Sequence, residues 1–379
     1  MQNQIDAFIL NKEKNKSEMF KETVLKSKPR MLFFILTTKC NLNCIMCLQE
    51  KGHLLPSGVF DKLRSLFPYL ELIDWQGGEV FLIDYFKDLF QEIGAYANIK
   101  QRVYTNGITI DKEWAKIISS SHTEVTVSID AVTKKTYETI RNGAKFEDLL
   151  NNIETLNAIC DENKSYIKLC INTVVMKRNL KELNLFPAFC KKYKIGYVRF
   201  DFLKYNNQLW EAEHRKPDQR EMMLRLSRLS QEDIFIKKDS AAIRYLKDNL
   251  LNLEKEFKEL GIDFDYTFRP FLTCDDKKRE KIAKDKEDNK DKKDNKNMKI
   301  EVKCPHPWER IFIDYHGKVK PDCWCDNPVG NILENQIDEI WNNKEMQTYR
   351  QRIIEGSSRG WCSDICVANA VEAKKFKTI

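Results

Sequence analysis

The sequence predicts an α/β fold, a partial (β/α)6 parallel barrel followed by a small cysteine-rich domain. Two observations carry that prediction. Short, continuously apolar runs alternate with longer amphipathic stretches from residue 31 to residue 203, the pattern of parallel strands covered on both faces by helices. The 12 cysteines fall into two clusters, at 40, 44 and 47 and at 304, 323, 325, 362 and 366, with four more scattered between. In a long chain without a secretory signal, such tight spacings point to metal or redox chemistry and away from a disulfide framework.

The elements follow in order. Residues 1–30 form a polar lead-in, expected to be helical. Met31–Leu36 (MLFFIL) is the first strand and Leu72–Trp75 ends the second. Arg102–Thr105, Glu124–Ile129, Ile167–Val175 and Tyr197–Leu203 are the third to sixth. Helices are expected over 57–67, 84–96, 111–119, 133–159 and 179–193, and 205–262 reads as polar helix. The barrel is expected to occupy 31–235. Parallel α/β architectures carry their chemistry on the loops at the C-terminal ends of the strands. Residues 236–299 are read as a helical connection and a charged linker. Within it, 275–299 is almost entirely Lys, Asp, Glu and Asn, too polar to order itself by burying apolar surface. Residues 300–379 hold five cysteines and a helix near 335–354, a segment small enough for a metal to help it fold.

Composition narrows the classes. The chain has 379 residues and is 42% hydrophobic, enough for a full-sized core. Charged residues make up 32% with a net charge of +7, but the signs are interleaved, as on a solvated surface. No compact basic face with interleaved aromatics stands out, which disfavours nucleic acid as a partner. No apolar run approaches the roughly 20 residues that span a bilayer, and the N-terminus lacks the pattern of a signal peptide. A cytoplasmic location and no membrane partner are expected. Cys160, Cys170 and Cys190 sit among apolar neighbours and read as small buried hydrophobes. The five histidines show no paired metal-binding spacing.

The chemistry concentrates in Cys40-Asn-Leu-Asn-Cys44-Ile-Met-Cys47, directly after the first strand. Three thiolates at this spacing can wrap three corners of a [4Fe–4S] cube and leave the fourth iron open to an exogenous ligand. A zinc site is the alternative, but zinc prefers four ligands and no nearby Cys or His completes the set, His53 being the closest. Gly77-Gly78-Glu79 follows the second strand, Thr105-Asn106-Gly107 ends the third, and Ser128-Ile129-Asp130 ends the fourth, continuing to Tyr137, Arg141 and Gly143.

In this order, at successive strand ends, these motifs closely resemble the radical S-adenosylmethionine (radical SAM) superfamily over about residues 31–204. The resemblance implies that Cys40, Cys44 and Cys47 hold a SAM-binding [4Fe–4S] cluster. Glu79 would meet the methionine ammonium, with Gly77 and Gly78 letting the backbone approach the ligand closely. Ser128 and Arg141 would meet the carboxylate, with Asn106 and Asp130 as further contacts. Met46 stands where many relatives carry an aromatic residue near the adenine, and Val80 where many carry proline.

The C-terminal landmarks are similar to SPASM/twitch auxiliary-cluster domains. They run through Cys304, Trp308, Gly317, Cys323-Trp-Cys325, Gly330-Asn331, Trp341, Arg350 and Cys362-x3-Cys366. Five cysteines suit one auxiliary [4Fe–4S] cluster, held by Cys304, either Cys323 or Cys325, Cys362 and Cys366. A zinc ribbon-like site is the alternative. Together the resemblances imply an oxidoreductase or maturase that cleaves SAM to a 5′-deoxyadenosyl radical. Its substrate would be a peptide, a protein side chain or a small polar metabolite, and its electron would come from a flavodoxin- or ferredoxin-type reductant. Asp201, Lys204 and Tyr205, after the sixth strand, are candidate substrate contacts. An RNA-modifying radical SAM enzyme and a non-catalytic electron-transfer protein are the competing readings.

Overall fold

The computed structural model describes residues 2–49, 52–165, 167–203, 219–235, 239–268, 304–325 and 327–356. The chain forms two compact units, one of Phe34–Leu55 and Leu72–Phe268, the other of Met1–Phe33, Pro56–Glu71 and the described residues after Arg269.

The first unit is built on an open sheet. Its strands are β1 (Met31–Thr37, from Phe34 on), β2 (Leu72–Gly77), β3 (Lys100–Thr105), β4 (Thr123–Ser128), β5 (Lys168–Val175), β6 (Tyr197–Phe202) and β7 (Asp263–Tyr266). They lie side by side in chain order. All pairings from β2 to β7 are parallel. One face is a continuous apolar layer of Ile73, Trp75, Val103, Val125, Val127, Leu169, Ile171, Val198 and Phe200, all buried. Trp75 stacks on Phe34 at 5.0 Å and meets Phe86 edge-on. Its indole Nε1 donates to the buried Gln101 side chain, which itself donates to the Phe90 carbonyl, so no polar group in that layer is stranded. The other face is polar, because strand side chains alternate. In register it carries Asp74, Arg102 and Glu124, then Ser128, Asn172 and Arg199. Cys160, Cys170 and Cys190 are buried, as expected.

Two features depart from the sequence reading. The stretch 133–159 is two helices, Lys134–Ile140 and Phe146–Glu162. Gly143, at φ +94°, turns the chain between them through a conformation that glycine adopts without strain. A seventh strand, β7, lies where a helical connection was expected. It is short, and two of its four residues are exposed Asp, so it lacks the apolar run that marked the others and suits a sheet edge. The helices Gln219–Glu232 and Ser240–Glu259 match the polar helical reading of that region. The charged stretch 275–299 lies outside the described residues.

The second unit joins the lead-in helix Gln2–Glu18 to the C-terminal segment. That segment contains the antiparallel strands β8 (Arg310–Ile313), β9 (Lys318–Lys320) and β10 (Gly330–Asn331) and the helices Ile337–Trp341 and Lys344–Ile354. The expected helix 57–67 is here a short helix, Val59–Leu63, that tightens into a 3-10 turn, Arg64–Tyr69, around Pro68. Buried polar side chains hold the unit together. Trp308 Nε1 donates to the Glu22 carbonyl and Trp341 Nε1 to the Ser27 carbonyl. Arg30 donates to Glu71 at 2.6 Å and to Glu309 at 3.1 Å.

Candidate active site

The cysteine loop leaves β1 and is hung on the turn between the two helices that Gly143 separates. Asn43 N donates to the Asn142 carbonyl (2.8 Å) and Ile45 N to the Ile140 carbonyl (3.0 Å). The same turn carries Arg141, so loop and arginine are placed by one piece of backbone. Opposite, Gly78 N donates to the Thr37 carbonyl and Glu79 N to the Lys39 carbonyl. A Cβ on Gly77 would stand 2.5 Å from the Thr37 oxygen, and one on Gly78 2.1 Å from the Lys39 oxygen. These glycines are therefore required by backbone meeting backbone at the root of the cysteine loop.

A cavity of about 230 Å³ opens here. Of the residues singled out by sequence, Cys40, Cys44, Met46, Cys47, Gly77, Gly78, Asn106, Ser128 and Arg141 all line it. Sequence reasoning missed Tyr104, Asn172 and Val174, which also line it. Asn172 had left a signal, as a polar residue inside an apolar strand.

The sulfurs have N–H neighbours. Cys40 Sγ accepts from Leu42 N at 3.4 Å and from Asn106 Nδ2 at 3.9 Å. Cys44 is 7% exposed and accepts from Arg141 Nη1 at 3.8 Å. Burial pushes the Cys44 thiol up to about 11, against the pull of the Arg141 cation.

Glu79 and Asp130 do not line the cavity; both are fully buried. Glu79 accepts from Thr105 Oγ1 (2.9 and 3.0 Å), Asn106 N (2.9 Å) and Phe81 N (3.4 Å). Burial raises its pKa, and these donors oppose the rise. Asp130 accepts from Arg141 Nε (2.7 Å) and Val174 N (2.8 Å). Asp201 accepts from Thr267 Oγ1 and Phe202 N; Lys204 and Tyr205 lie outside the described residues.

Residues 34–185 match the Radical SAM superfamily, and residues 304–366 match the iron-sulfur cluster-binding domain called SPASM. This chain is a radical SAM/SPASM enzyme. Among its relatives is the AdoMet-dependent heme synthase of Methanosarcina barkeri, 25% identical over 339 residues, 85% of this chain and 84% of that protein. The cysteine-type anaerobic sulfatase-maturating enzyme of Clostridium novyi is 29% identical over 189 residues, 45% of this chain and 50% of that enzyme. The fold resembles that of Streptococcus suis SuiB bound to precursor peptide SuiA, with a TM-score of 0.59 at 17% identity, over 89% of this chain and 70% of that one.

Radical SAM/SPASM enzymes work with SAM and [4Fe–4S] clusters, and both iron–sulfur segments of the family are present in this chain. In the SPASM segment Cys304 is half-buried, Cys323 exposed and Cys325 buried. Cys362 and Cys366 lie outside the described residues. Asp322, beside Cys323, accepts from Arg310 and lies 3.3 Å from His306 Nδ1. No helix among the described residues is long and apolar enough to cross a membrane.

Proposed function

We propose that Cys40, Cys44 and Cys47 ligate the SAM-cleaving [4Fe–4S] cluster and that the radical made there oxidises or cross-links a peptide or protein side chain. One observation carries the first half. Three thiols, Asn106, Ser128 and Arg141, drawn from four separate stretches of chain, converge on one cavity at the C-terminal ends of the strands. The donor set suits the cluster: thiols on a single loop, with N–H groups directed at the sulfurs of Cys40 and Cys44. Bound there and reduced, the cluster would supply the one electron that splits SAM into methionine and a 5′-deoxyadenosyl radical, which takes a hydrogen atom from the substrate.

The protein's part is to bind and orient. Arg141, which lines the cavity, receives the methionine carboxylate, with Ser128 and Asn106 beside it. Gly77 and Gly78 present backbone to the ligand. Glu79, its oxygens already filled, acts from behind the site by fixing the Thr105–Asn106 turn. Met46, Tyr104 and Val174 form the less polar wall. Cys304, one of Cys323 and Cys325, Cys362 and Cys366 hold the auxiliary cluster in a domain spanning 300–379, which follows along the chain a barrel spanning 31–235. An external flavodoxin- or ferredoxin-type protein supplies the electron.

The peptide reading is supported by the sulfatase-maturating relative. A small-molecule substrate is the second reading, favoured by the heme synthase match, which runs along most of both chains. Anaerobic reconstitution tests the proposal. Wild-type enzyme with reductant and SAM should form 5′-deoxyadenosine, and Cys44→Ala should form none. About eight irons per chain are expected for two clusters. A fully loaded enzyme that makes no 5′-deoxyadenosine with any candidate substrate would overturn the cluster assignment. A two-electron mass change on a peptide decides between the substrate readings.

A further inference from the structure

The cysteine loop contains an asymmetry that ligation alone leaves unexplained. Two neutral N–H donors approach Cys40, a backbone amide and an Asn amide. The donor that approaches Cys44 is a guanidinium. That guanidinium is not a mobile surface group. Its side chain is 11% exposed, its Nε donates to Asp130 Oδ2 at 2.7 Å, and the other oxygen of Asp130 accepts from Val174 N on β5 at 2.8 Å. The Asp130 carbonyl accepts from Asn179 Nδ2 as well. Asp130 is therefore fixed at both its carboxylate and its backbone. It pins Arg141, a residue of the cavity lining, with one nitrogen held and one directed at sulfur.

We infer that the Asp130–Arg141 pair sets the reduction potential of the cluster, through a charge-assisted N–H···S contact to Cys44, with Asp130 as the positioning residue. The inference rests on Cys44 being a cluster ligand, as proposed above. Reduction adds an electron to the cluster and so adds negative charge to its sulfurs. A cationic donor held against one of them favours the reduced form, and hydrogen bonds to the sulfurs are among the factors that tune such potentials. Contacts made by an ionised donor are roughly twice as strong as neutral ones, so Arg141 outweighs Asn106 in this role. Asp130 prevents the guanidinium from swinging wholly into the cavity, which would leave the sulfur without its charged donor.

The test is a redox titration of the reconstituted, SAM-free enzyme, followed by electron paramagnetic resonance. Without SAM, the methionine carboxylate plays no part in the signal. Arg141→Lys keeps the positive charge, but its single ammonium cannot serve Asp130 and Cys44 together. Its midpoint should fall by about 59 mV, a tenfold change in the one-electron equilibrium. Asp130→Asn is the sharper variant. Removing a nearby negative charge should raise the potential by simple Coulomb attraction, whereas loosening the clamp should lower it. A fall in both variants at wild-type iron content supports the inference. An unchanged or raised midpoint in either overturns it while leaving the cluster assignment intact. A wild-type protein that takes up no SAM-cleaving cluster overturns both.

Discussion

Arg141 in the first unit and Arg350 in the second are both held away from solvent, and the two are used in opposite ways. Arg141 faces a carboxylate on one side and a cavity on the other. Arg350 is fully buried, and its donors end on main-chain or amide oxygens: Nε on the Pro307 carbonyl, Nη1 on the Thr23 carbonyl and Asn342 Oδ1, Nη2 on the Trp341 carbonyl. Its guanidinium also lies 4.6 Å above the Trp341 ring. Burial with little acidic compensation pulls its pKa down to about 9, so it remains a cation at neutral pH. A guanidinium saturated by carbonyls ties segments together. One paired with an acid on a single side keeps a nitrogen available for chemistry.

The largest expected effect tests the stapling role. Arg350→Ala takes this donor from three carbonyls, while Asn342 Oδ1 keeps the Leu25 N–H, and unsatisfied buried groups cost about 1–3 kcal/mol each before water or relaxation intervenes. A net loss of about 4 kcal/mol is expected in urea denaturation followed by tryptophan fluorescence, since Trp308 and Trp341 report on this unit. A loss below about 1 kcal/mol would remove the distinction drawn between the two arginines. In the radical SAM unit the corresponding rigid point is Gly78. Gly78→Ala drives a Cβ against the Lys39 carbonyl, a backbone atom that cannot step aside as a flexible side chain would. It should cost about 3 kcal/mol and lower iron uptake on reconstitution. Gly58→Ala meets nothing within 4 Å and has no positive φ; iron uptake equal to wild type there makes it the control.

The same contrast explains what the sequence made legible. Cys40, Cys44 and Cys47 announce themselves because ligand spacing is local, and Gly77-Gly78 because the turn needs both glycines in tandem. Tyr104 and Val174 did not, because residues on opposite faces of a buried strand differ only once strand register is known; Asn172 stood out only as a polar residue inside an apolar strand. Arg141 was legible as a residue, but its placement depended on a helix break at Gly143 that an otherwise amphipathic stretch concealed. The second unit was least legible. Asn15 donates to the carbonyl of Trp308 and Arg350 to that of Thr23, partners about three hundred residues apart that no local pattern joins. The alternatives Cys323 and Cys325 differ in burial, one exposed and one buried, a difference their near-identical sequence context did not carry.

The smallest expected effect concerns Glu79, whose polar atoms are engaged as those of Arg350 are, and whose carboxyl is held by burial above the usual glutamate range. Burial raises its pKa in the native state. Between the ordinary glutamate value of about 4.3 and the raised native value, the native state holds a proton that the unfolded chain has released. Stability contributed by this group is therefore present at low pH and declines as pH rises through that window. Glu79→Gln keeps an acceptor for Thr105 Oγ1 and Asn106 N but cannot titrate. It should cost only about 1 kcal/mol at acidic pH, and the difference from wild type should shrink as pH rises toward neutrality. Denaturation curves of the cluster-free protein across that range measure it. Parallel pH profiles for the two proteins would mean that the three donors around Glu79 hold its pKa at the ordinary value. The carboxylate would then be an ionised anchor for the Thr105–Asn106 turn, closer in kind to Asp130 than to Arg350.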